Sequence, residues 1–459
     1  MSFRVGEPHM LGKHDVIKAY NYPTTISSSV LSMSNYTHFM LNNEHYTETL
    51  TLLSGCAVSD FVIENDTVFF CGKDNEDKGV IGFFSIQGHF VNGGQFFYNN
   101  YFPILNYYHA EAFNRLVSYR DTTGRRHIVC VGKAKSNSRA GLYPCIVDLF
   151  TESNGEYLAY NAGVISDTNI ENSMMDIKRF CTAAYPVRDD MSGGYFPCDY
   201  LVVAGIDANQ QLCLRFFNTQ DPFSTSGPQD ALYTFDNYGD YLWTHRHSDP
   251  LIYPMSDSSI AVASVYYTQL LNLSTYKALH FCEINIHKLL NGLSTSMIRS
   301  VGVRLDGSLR VSELNQFLYN THTSRFAALF DAQSPNDDNQ NSFFIETDYT
   351  LTSALNLLTG ADGDTICGNR FTGMDFYNSM SQYVLYGHCY SQGNRYNFEI
   401  ETSGIATLCL PQATATFTPL IPVQSRRYDS PVEVVGGRNG FQMIPTALEK
   451  WGIITNCSH

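Results

Sequence analysis

The chain has 459 residues, of which 44% are hydrophobic, 14% are aromatic and 16% are charged. Abundant apolar residues with few charges exclude intrinsic disorder, which requires the opposite balance. With 29 Lys and Arg against 44 Asp and Glu, the formal net charge is −15. We therefore expect no nucleic-acid binding through a basic face, because phosphate affinity comes from clustered Lys and Arg.

The first residues contain no apolar segment of the kind that a signal peptide carries. We therefore leave the compartment open and expect a secreted or cell-envelope location only if a signal peptide has been removed. No apolar run approaches the roughly 18 residues that a membrane-spanning helix needs. Twelve cysteines include Cys71, Cys130 and Cys213 inside apolar runs, where we expect them to be small buried hydrophobic residues.

In chain order, the first predicted element is an N-terminal segment, 1–52, with strand-like runs near its end. Six short apolar runs follow, and most of them end in a small residue: 67–72, 127–132, 200–205, 259–264, 325–330 and 382–387. The first and last runs begin 315 residues apart, so the mean repeat is 63 residues. Their β-branched and aromatic residues favour strands, and their nearly continuous apolar character predicts strands covered on both faces.

Each apolar run has similar neighbours. One strand-like segment follows the run, as 80–86 follows the first, and another precedes it, as 58–63 does. A looser fourth segment, such as 95–98, connects successive units. Four short strands in each unit of about 60 residues are typical of a β-propeller blade. Short helical turns, predicted at 285–290 and 446–450, do not set the architecture.

Six such units occupy 53–402, and the segment 403–459 contains further strand-like runs that predict a closing blade and tail. If 1–52 supplies the outer strand of that blade, the termini join in one blade and no sheet edge is left open. We therefore predict a single all-β domain, 1–459, folded as a β-propeller of seven blades with four antiparallel strands each. Six blades with separate terminal extensions are the alternative.

The style of the repeat combines an Asp-containing inner strand, an aromatic-Cys-Gly middle strand and a Gly-Phe-Phe third strand. In this respect the chain resembles uncharacterised propeller proteins of the bacterial cell envelope. The Trp-Asp signature of WD repeats is missing, since neither Trp243 nor Trp451 is followed by Asp. The resemblance implies an all-β propeller fold and carries no activity with it.

Three aspartates are candidate ligand-binding residues, because Asp60, Asp176 and Asp375 each lie in the strand that precedes a middle run. Equivalent positions on inner strands would form a ring of carboxylates around a central channel, where oxygen ligands could bind a divalent cation or a polar ligand. The alternative is structural, in which each Asp caps a strand or bonds to the backbone of a neighbouring blade. Apart from that cation, no cofactor is predicted.

A second candidate site is the segment 243–249. On a strand, His245 and His247 point to the same face, which is compatible with shared metal ligation, although the sequence names no third ligand. Trp243 could instead stack on a sugar ring. The alternative interpretation is two exposed histidines beside the start of a strand.

We predict a non-catalytic binding or scaffolding propeller, monomeric, that contacts a glycan or protein ligand at its loop face or central channel. Neither a Gly-x-Ser-x-Gly nucleophile motif nor a Gly-rich phosphate loop occurs in the sequence. The alternative function is a glycan-active hydrolase or lyase that uses carboxylates at the channel mouth, because propeller glycosidases bring such residues from distant blades.

Overall fold

The structure is a computed structural model of the whole chain. It describes the following residues: 15–23, 35–42, 46–52, 57–64, 67–73, 78–87, 90–91, 95–100, 108–136, 142–150, 159–164, 173–182, 198–207, 209–219, 231–236, 243–256, 258–270, 273–293, 295–306, 309–333, 340–359, 368–377, 382–391, 394–401, 413–429, 433–434, 441–446 and 448–455. The statements that follow concern these residues.

The described residues form β-strands and one short helix. In chain order the first strands are β1 (Asp15–Pro23), β2 (Asn35–Asn42), β3 (Tyr46–Leu52), β4 (Ala57–Glu64), β5 (Thr67–Lys73), β6 (Gly79–Gln87), β7 (Phe90–Val91), β8 (Gln95–Asn100), β9 (Tyr108–Arg120), β10 (Arg126–Ser136), β11 (Leu142–Phe150), β12 (Ala159–Val164), β13 (Ser173–Thr182), β14 (Cys198–Ile206), β15 (Leu212–Asn218) and β16 (Ala231–Asp236). They are followed by β17 (Trp243–Pro254), β18 (Ser259–Leu270), β19 (Leu273–Asn285), the helix α1 (Ile286–Leu290), β20 (Met297–Leu305), β21 (Arg310–Asn320), β22 (Arg325–Gln333), β23 (Gln340–Thr347), β24 (Ala354–Thr359), β25 (Gly368–Tyr377), β26 (Gln382–Ser391), β27 (Asn394–Glu401), β28 (Ala415–Pro419), β29 (Gln424–Asp429), β30 (Glu433–Val434), β31 (Phe441–Thr446) and β32 (Leu448–Thr455).

All six apolar runs form strands, namely β5, β10, β14, β18, β22 and β26, as predicted. The helical turn predicted at 285–290 is confirmed by α1, whose first turn is capped because the Asn285 side chain accepts a hydrogen bond from the Lys288 N–H. The helical turn predicted at 446–450 is wrong, because 448–450 belong to strand β32. Local sequence pattern therefore identifies the strands well.

The chain divides into two compact units. Unit 1 consists mainly of Lys178–Phe216 and Ala231–Asp429, and unit 2 of Val5–Ile177, Phe217–Asp230 and Ser430–His459. The prediction of a single domain over 1–459 stays a prediction. Each unit is described separately below.

Unit 2 contains three antiparallel sheets. The first has the order β1-β2-β3-β32, and the second has the order β31-β8-β6-β5-β4 with β7 paired to β6. The third has the order β30-β12-β11-β10-β9. A core of apolar side chains lies between the second and third sheets and includes Phe69, Cys71, Phe113 and Cys130.

Unit 1 contains four antiparallel sheets, of which the first takes its opening residues from the end of unit 2. Their orders are β13-β14-β15-β16-β29, β17-β18-β19-β20-β28, β21-β22-β23-β24 and β25-β26-β27. Apolar cores lie between successive sheets of this unit. In β22, for example, Ala328 and Phe330 face one core and Ala327 and Leu329 face the next, so the run is covered on both faces as predicted.

The all-β propeller fold is confirmed, but the predicted seven blades of four strands are wrong, and so is the six-blade alternative. The structure shows five blades of three to five strands each. The expected uniform count fails because the C-terminal strands do not form one closing blade and are shared among several sheets.

The C-terminal strands add an outer strand to one sheet after another. In unit 1, β28 pairs with β20 and β29 pairs with β16. In unit 2, β30 pairs with β12, β31 with β8 and β32 with β3. The sheets are therefore completed in the reverse of their chain order. An outer strand that is paired in this way no longer presents free backbone N–H and C=O groups to other chains.

The ends of the middle runs lie opposite β-bulges. In four sheets the first strand inserts one extra residue there, at Ser59, Asn114, Asn315 and Thr372. A Cβ atom on Gly132 would lie 2.0 Å from the carbonyl oxygen of Ala112, so only glycine fits at the end of β10. The small residues that mark the repeat in the sequence therefore make room for bulged backbone in at least this sheet.

The first strands also connect neighbouring sheets. In unit 2 the Asn114 side-chain amide donates to the carbonyl oxygen of Met174 at 2.9 Å. In unit 1 the Gln316 amide donates to the Met374 carbonyl at 2.7 Å and accepts from the Met374 N–H at 2.8 Å. Each of these amides satisfies strand backbone that the next sheet leaves unpaired, which fixes the position of the next strand.

Candidate functional site

The three predicted aspartates are placed differently from one another. The Asp60 carboxylate accepts a hydrogen bond from the Leu116 N–H in β9 at 3.0 Å, so it contacts the backbone of a neighbouring sheet. Asp176 is buried and accepts a hydrogen bond from the N–H of Ile177 at 2.9 Å. The side chain of Asp375 lies outside the described residues. A shared carboxylate ring around a channel stays a prediction.

The predicted pair of histidines, His245 and His247, belongs to β17. The side chains of Trp243 and His245 lie outside the described residues, although their backbone belongs to this strand. His247 is buried, and its backbone N–H donates to the carbonyl oxygen of Gln210. Metal ligation by His245 and His247, and sugar stacking on Trp243, stay predictions.

His247 instead begins a chain of hydrogen-bonding side chains across one sheet of unit 1, which we name the histidine–serine array. It consists of His247 in β17, Ser264 in β18, His280 in β19 and Ser300 in β20. The Ser264 Oγ lies 2.9 Å from His247 Nδ1 and 3.5 Å from His280 Nδ1, and the Ser300 Oγ lies 2.8 Å from His280 Nε2. All four residues are buried.

The strand register explains why these side chains meet. Ser264 and His280 are directly opposed in the β18–β19 pair, and Ser264 stands at the end of its run, where several other runs have glycine. The two imidazole rings lie 5.0 Å apart, and the ring of Tyr266 packs against both of them. Burial raises the pKa of the Tyr266 hydroxyl, so this ring stays neutral.

The array can carry a hydrogen-bond chain in either direction, because each imidazole and each hydroxyl can donate one proton and accept another. The short contact between Ser300 and His280 has the spacing of a nucleophile and its base. However, the contact that would orient His280 through its Nδ1 atom is long, at 3.5 Å. The C-terminal strands also lie beside Ser300, whose carbonyl oxygen accepts from the Leu420 N–H at 2.8 Å. This geometry favours a buried connector of four strands.

A second buried histidine lies in the sheet β9–β12 of unit 2. His127 Nδ1 lies 2.9 Å from Asp148 Oδ1, and its Nε2 lies 3.4 Å from Asp121 Oδ2. The ring stacks on Tyr119, with 4.9 Å between the ring centroids. Burial by itself lowers the pKa of His127, but the hydrogen bonds and charges of Asp148 and Asp121 outweigh it and raise the pKa.

The carboxylate at this position recurs on the third strand of three sheets in unit 1. Each acid lies opposite the third residue of a middle run: Asp148 opposite Val129, Glu283 opposite Ala261, Glu346 opposite Ala327 and Glu401 opposite Val384. The side chain of Glu401 lies outside the described residues. Sequence reasoning missed this set, although the acids stand in segments that belong to the repeat. Aligning the third strands by the start of each run would have shown them.

Two acids of unit 1, Glu283 and Glu346, are paired with basic or amide groups. Arg325 donates to Glu346 at 3.1 Å, and the Asn356 amide donates to the same carboxylate at 2.6 Å. Arg299 donates to Glu283 at 2.8 Å. Partly buried carboxylates that are paired in this way connect neighbouring strands of the sheet.

An exposed surface of a different kind lies at the edge of the sheet β17–β20 with β28, and we name it the outer rim. It consists of exposed residues of α1, the turn after it, β20 and the C-terminal strands: Lys288, Leu293, Ile298, Arg304, Ile421 and Arg427. Ile421 is 88% exposed, Leu293 is 51% exposed and Ile298 is 42% exposed. Of these large aliphatic side chains, Ile298 lies on β20, whereas Leu293 lies in the turn after α1 and Ile421 in the connection between β28 and β29.

Hydrogen bonds hold the elements of the outer rim together. The Leu420 N–H donates to the carbonyl oxygen of Ser300, and the Ser425 hydroxyl donates to that of Leu293 at 3.4 Å. The Leu293 N–H donates to the Lys288 carbonyl oxygen at 2.9 Å. The exposed apolar residues therefore stand on backbone that is anchored on several sides.

Among the described residues, no group of three or more His, Cys, Asp or Glu is arranged to hold a metal ion. Within the same part of the chain, no helix has the length and apolar character needed to cross a membrane. Cys71, Cys130 and Cys213 are buried, as predicted.

Comparison with known proteins gave no match to a protein-family model, to a curated protein or to a solved structure. The predicted resemblance to propeller proteins of the bacterial cell envelope therefore receives support only for its coarser part, the propeller arrangement.

Proposed function

We propose that this chain is a non-catalytic binding or scaffolding propeller whose ligand is a protein that docks on the outer rim. The observation that carries the proposal is the group of exposed aliphatic side chains on this rim, of which Ile421 is 88% exposed. Exposed apolar side chains that lie together are typical of protein interaction surfaces, and hydrogen bonds from Leu420 to Ser300 and from Ser425 to Leu293 join the segments that carry these residues.

The rim offers a rigid platform. β20 is hydrogen-bonded to β19 on one side and, over 301–305, to β28 on the other, so Arg304 stands where both edges of the strand are paired. Ile298 lies at a bulge of the β19–β20 pair, between the paired residues Met297 and Arg299. A surface that is already ordered loses little conformational entropy when a partner binds, which favours affinity.

The chemistry of the rim favours a protein over a glycan. Leu293, Ile298 and Ile421 present methyl groups, which pack well against apolar side chains of another protein and offer no hydrogen bonds to sugar hydroxyls. Binding of a glycan through Trp243 stays part of the alternative, since a sugar ring stacks on an aromatic face.

The described carboxylates support a structural role for acids inside the sheets. Asp60 contacts a backbone N–H, Asp148 contacts an imidazole, and Glu346 contacts a guanidinium and an amide. The alternative function, a glycan-active hydrolase or lyase with carboxylates at a channel mouth, stays a prediction. So does a location in the bacterial cell envelope.

Site-specific photo-cross-linking tests the proposal. A photoreactive amino acid replaces Ile421 in one variant and Leu142 in another, since Leu142 is 44% exposed on β11 of unit 2 and serves as the matched control. In cells that naturally produce the chain, we expect a discrete protein adduct at position 421 that position 142 does not give. The purified adduct protein should then bind the purified chain saturably, and Ile421→Asp should weaken that binding.

Two results would contradict the proposal. One is the lack of any adduct specific to position 421. The other is release of sugar products from a glycan by the wild-type chain at a rate that Ile421→Asp leaves unchanged, which would favour the hydrolase alternative.

A further inference from the structure

The charge of the outer rim is opposite to that of the rest of the chain. The segments that build the rim, 286–310 and 413–428, contain six Lys and Arg and one Asp. Two of the six lie apart from the rim, because Arg299 is paired with Glu283 and Arg310 belongs to β21 of another sheet, so Lys288, Arg304, Arg426 and Arg427 are its cations. The residues outside these two segments contain 23 Lys and Arg and 43 Asp and Glu. A cationic surface on a strongly acidic chain attracts acidic partners and steers their approach.

The cationic and apolar residues of the rim stand on segments that are joined by backbone and side-chain hydrogen bonds. Lys288 and Leu293 are joined by a backbone hydrogen bond, and Arg304 pairs in register with Thr416 of β28. Arg427 lies two residues beyond Ser425, which contacts Leu293. Apolar residues among exposed cations make a surface that complements an acidic protein surface with apolar residues of its own.

We propose, in place of the monomer predicted from the sequence, that the outer rim binds the acidic surface of a second copy of this chain. The inference rests on the proposed function and names the partner of the same site. The chain itself supplies the complementary charge, because everything outside the two rim segments is acidic in balance. A contact between two rims would place cations against cations, so the contact joins the rim of one copy to a different surface of the next.

A contact of this type is heterologous, and it adds copies in a ring or an open filament rather than closing at two. It would make the chain a scaffold that builds an assembly from itself. Its electrostatic part weakens as salt rises, because exposed charges are screened over about 8 Å at physiological ionic strength. Its apolar part does not depend on salt in this way.

Sedimentation velocity of the purified full-length chain tests the inference. We expect species larger than a monomer that grow with protein concentration at low salt and shrink at high salt. Ile421→Asp should weaken the association at least tenfold, and Lys288→Glu with Arg427→Glu should weaken it and remove most of its salt dependence. All three positions are exposed, so these variants should fold, and circular dichroism with thermal unfolding checks that they do.

Two control variants in unit 2 carry the same types of substitution as the rim variants. Leu142→Asp places an acid at an exposed apolar position, and Lys135→Glu reverses a charge that is 57% exposed. Both should associate like the wild type. A chain that stays monomeric at every concentration in low salt would overturn the inference, and so would equal weakening by the control variants. A monomeric chain that still gives an adduct to another protein at position 421 would overturn the self-association alone and leave the proposed function intact.

Discussion

The sheet β9–β12 with β30 and the sheet β17–β20 with β28 are built alike, since each has four consecutive antiparallel strands and a fifth from the C-terminal segment. Both bury histidine, but they stabilise it differently. In the first sheet His127 lies between two carboxylates, and its pKa is raised. In the second, His247 and His280 share hydroxyl groups of serine.

This difference shows that two sheets of similar construction can stabilise a buried imidazole in different ways. One uses charged carboxylates, and the other uses neutral hydrogen bonds to serine. A carboxylate partner makes the contribution to stability depend on pH, because it favours the imidazolium form. A hydroxyl partner adds no charge and fixes the side chains by a continuous chain of hydrogen bonds. The two sheets should therefore respond differently to mutation and to pH.

The largest expected loss of stability is in the sheet where His127 is paired with carboxylates. Asp148→Asn removes the negative charge that faces the buried His127 and should lower the free energy of unfolding by about 4 kcal/mol. Chemical denaturation of the purified variant measures this loss. Glu111→Gln is the control, because Glu111 is a more exposed carboxylate of the same sheet and should change the stability by no more than about 0.5 kcal/mol. Equal losses of stability in the two variants would contradict a special role for the carboxylate that faces His127.

The same variant should change the dependence of stability on pH. The pKa of His127 is raised above its ordinary value of 6.5, so its stabilising contribution is complete below that pH and is lost as pH rises through the folded-state value. Unfolding measured at several pH values upward from 6 should therefore show a decline in the wild type that Asp148→Asn reduces. Because Asp121 still faces His127 in the variant, some decline should remain. An identical decline in both proteins would show that Asp148 does not stabilise the protonated form of His127.

The next effect concerns the last residue of the middle run, which is Gly132 in one sheet and Ser264 in the other. Gly132→Ser should lower the free energy of unfolding by about 3 kcal/mol, because its Cβ would meet the Ala112 carbonyl oxygen. Thermal and chemical unfolding measure it. Gly124→Ser is the control for a glycine with open space around it, although its positive φ of 82° adds some strain. A loss at Gly132 no larger than at Gly124 would contradict the close approach.

A smaller loss of stability is expected in the sheet that contains the histidine–serine array. Ser264→Ala removes the hydroxyl that joins His247 and His280, and it should cost about 2 kcal/mol because buried polar atoms lose a partner. Chemical denaturation measures this cost. Ser264→Thr keeps the hydroxyl and should recover part of the loss. If Ser264→Ala is as stable as the wild type, the array does not connect the strands.

The sequence could predict those parts of the fold that depend on local pattern. The six apolar runs became middle strands, and the small residues at their ends coincide with bulges in the preceding strands. The distribution of the C-terminal strands over several sheets could not be read in this way. β28 pairs with β20, more than 100 residues earlier, and nothing in its own composition specifies that partner.

The candidate sites show the same limit. His247 was identified as a polar residue on a strand, but its partner Ser264 lies on the next strand and depends on register, which the sequence pattern left undetermined. The exposure of Ile421 could not be predicted from the sequence either. A single isoleucine near two prolines does not show whether its side chain is covered. Register and edge pairing are long-range properties, and they decide both sites.

Hydrogen exchange of the wild-type chain at two protein concentrations tests the central claim most directly, namely that the outer rim is a protein-binding surface that accepts a second copy. At the higher concentration, amide exchange should slow in 293–300 and 413–425, and it should stay unchanged in β10 and in β11 around the exposed Leu142. Exchange that is the same at both concentrations in the rim segments, or that slows only outside them, would contradict the account.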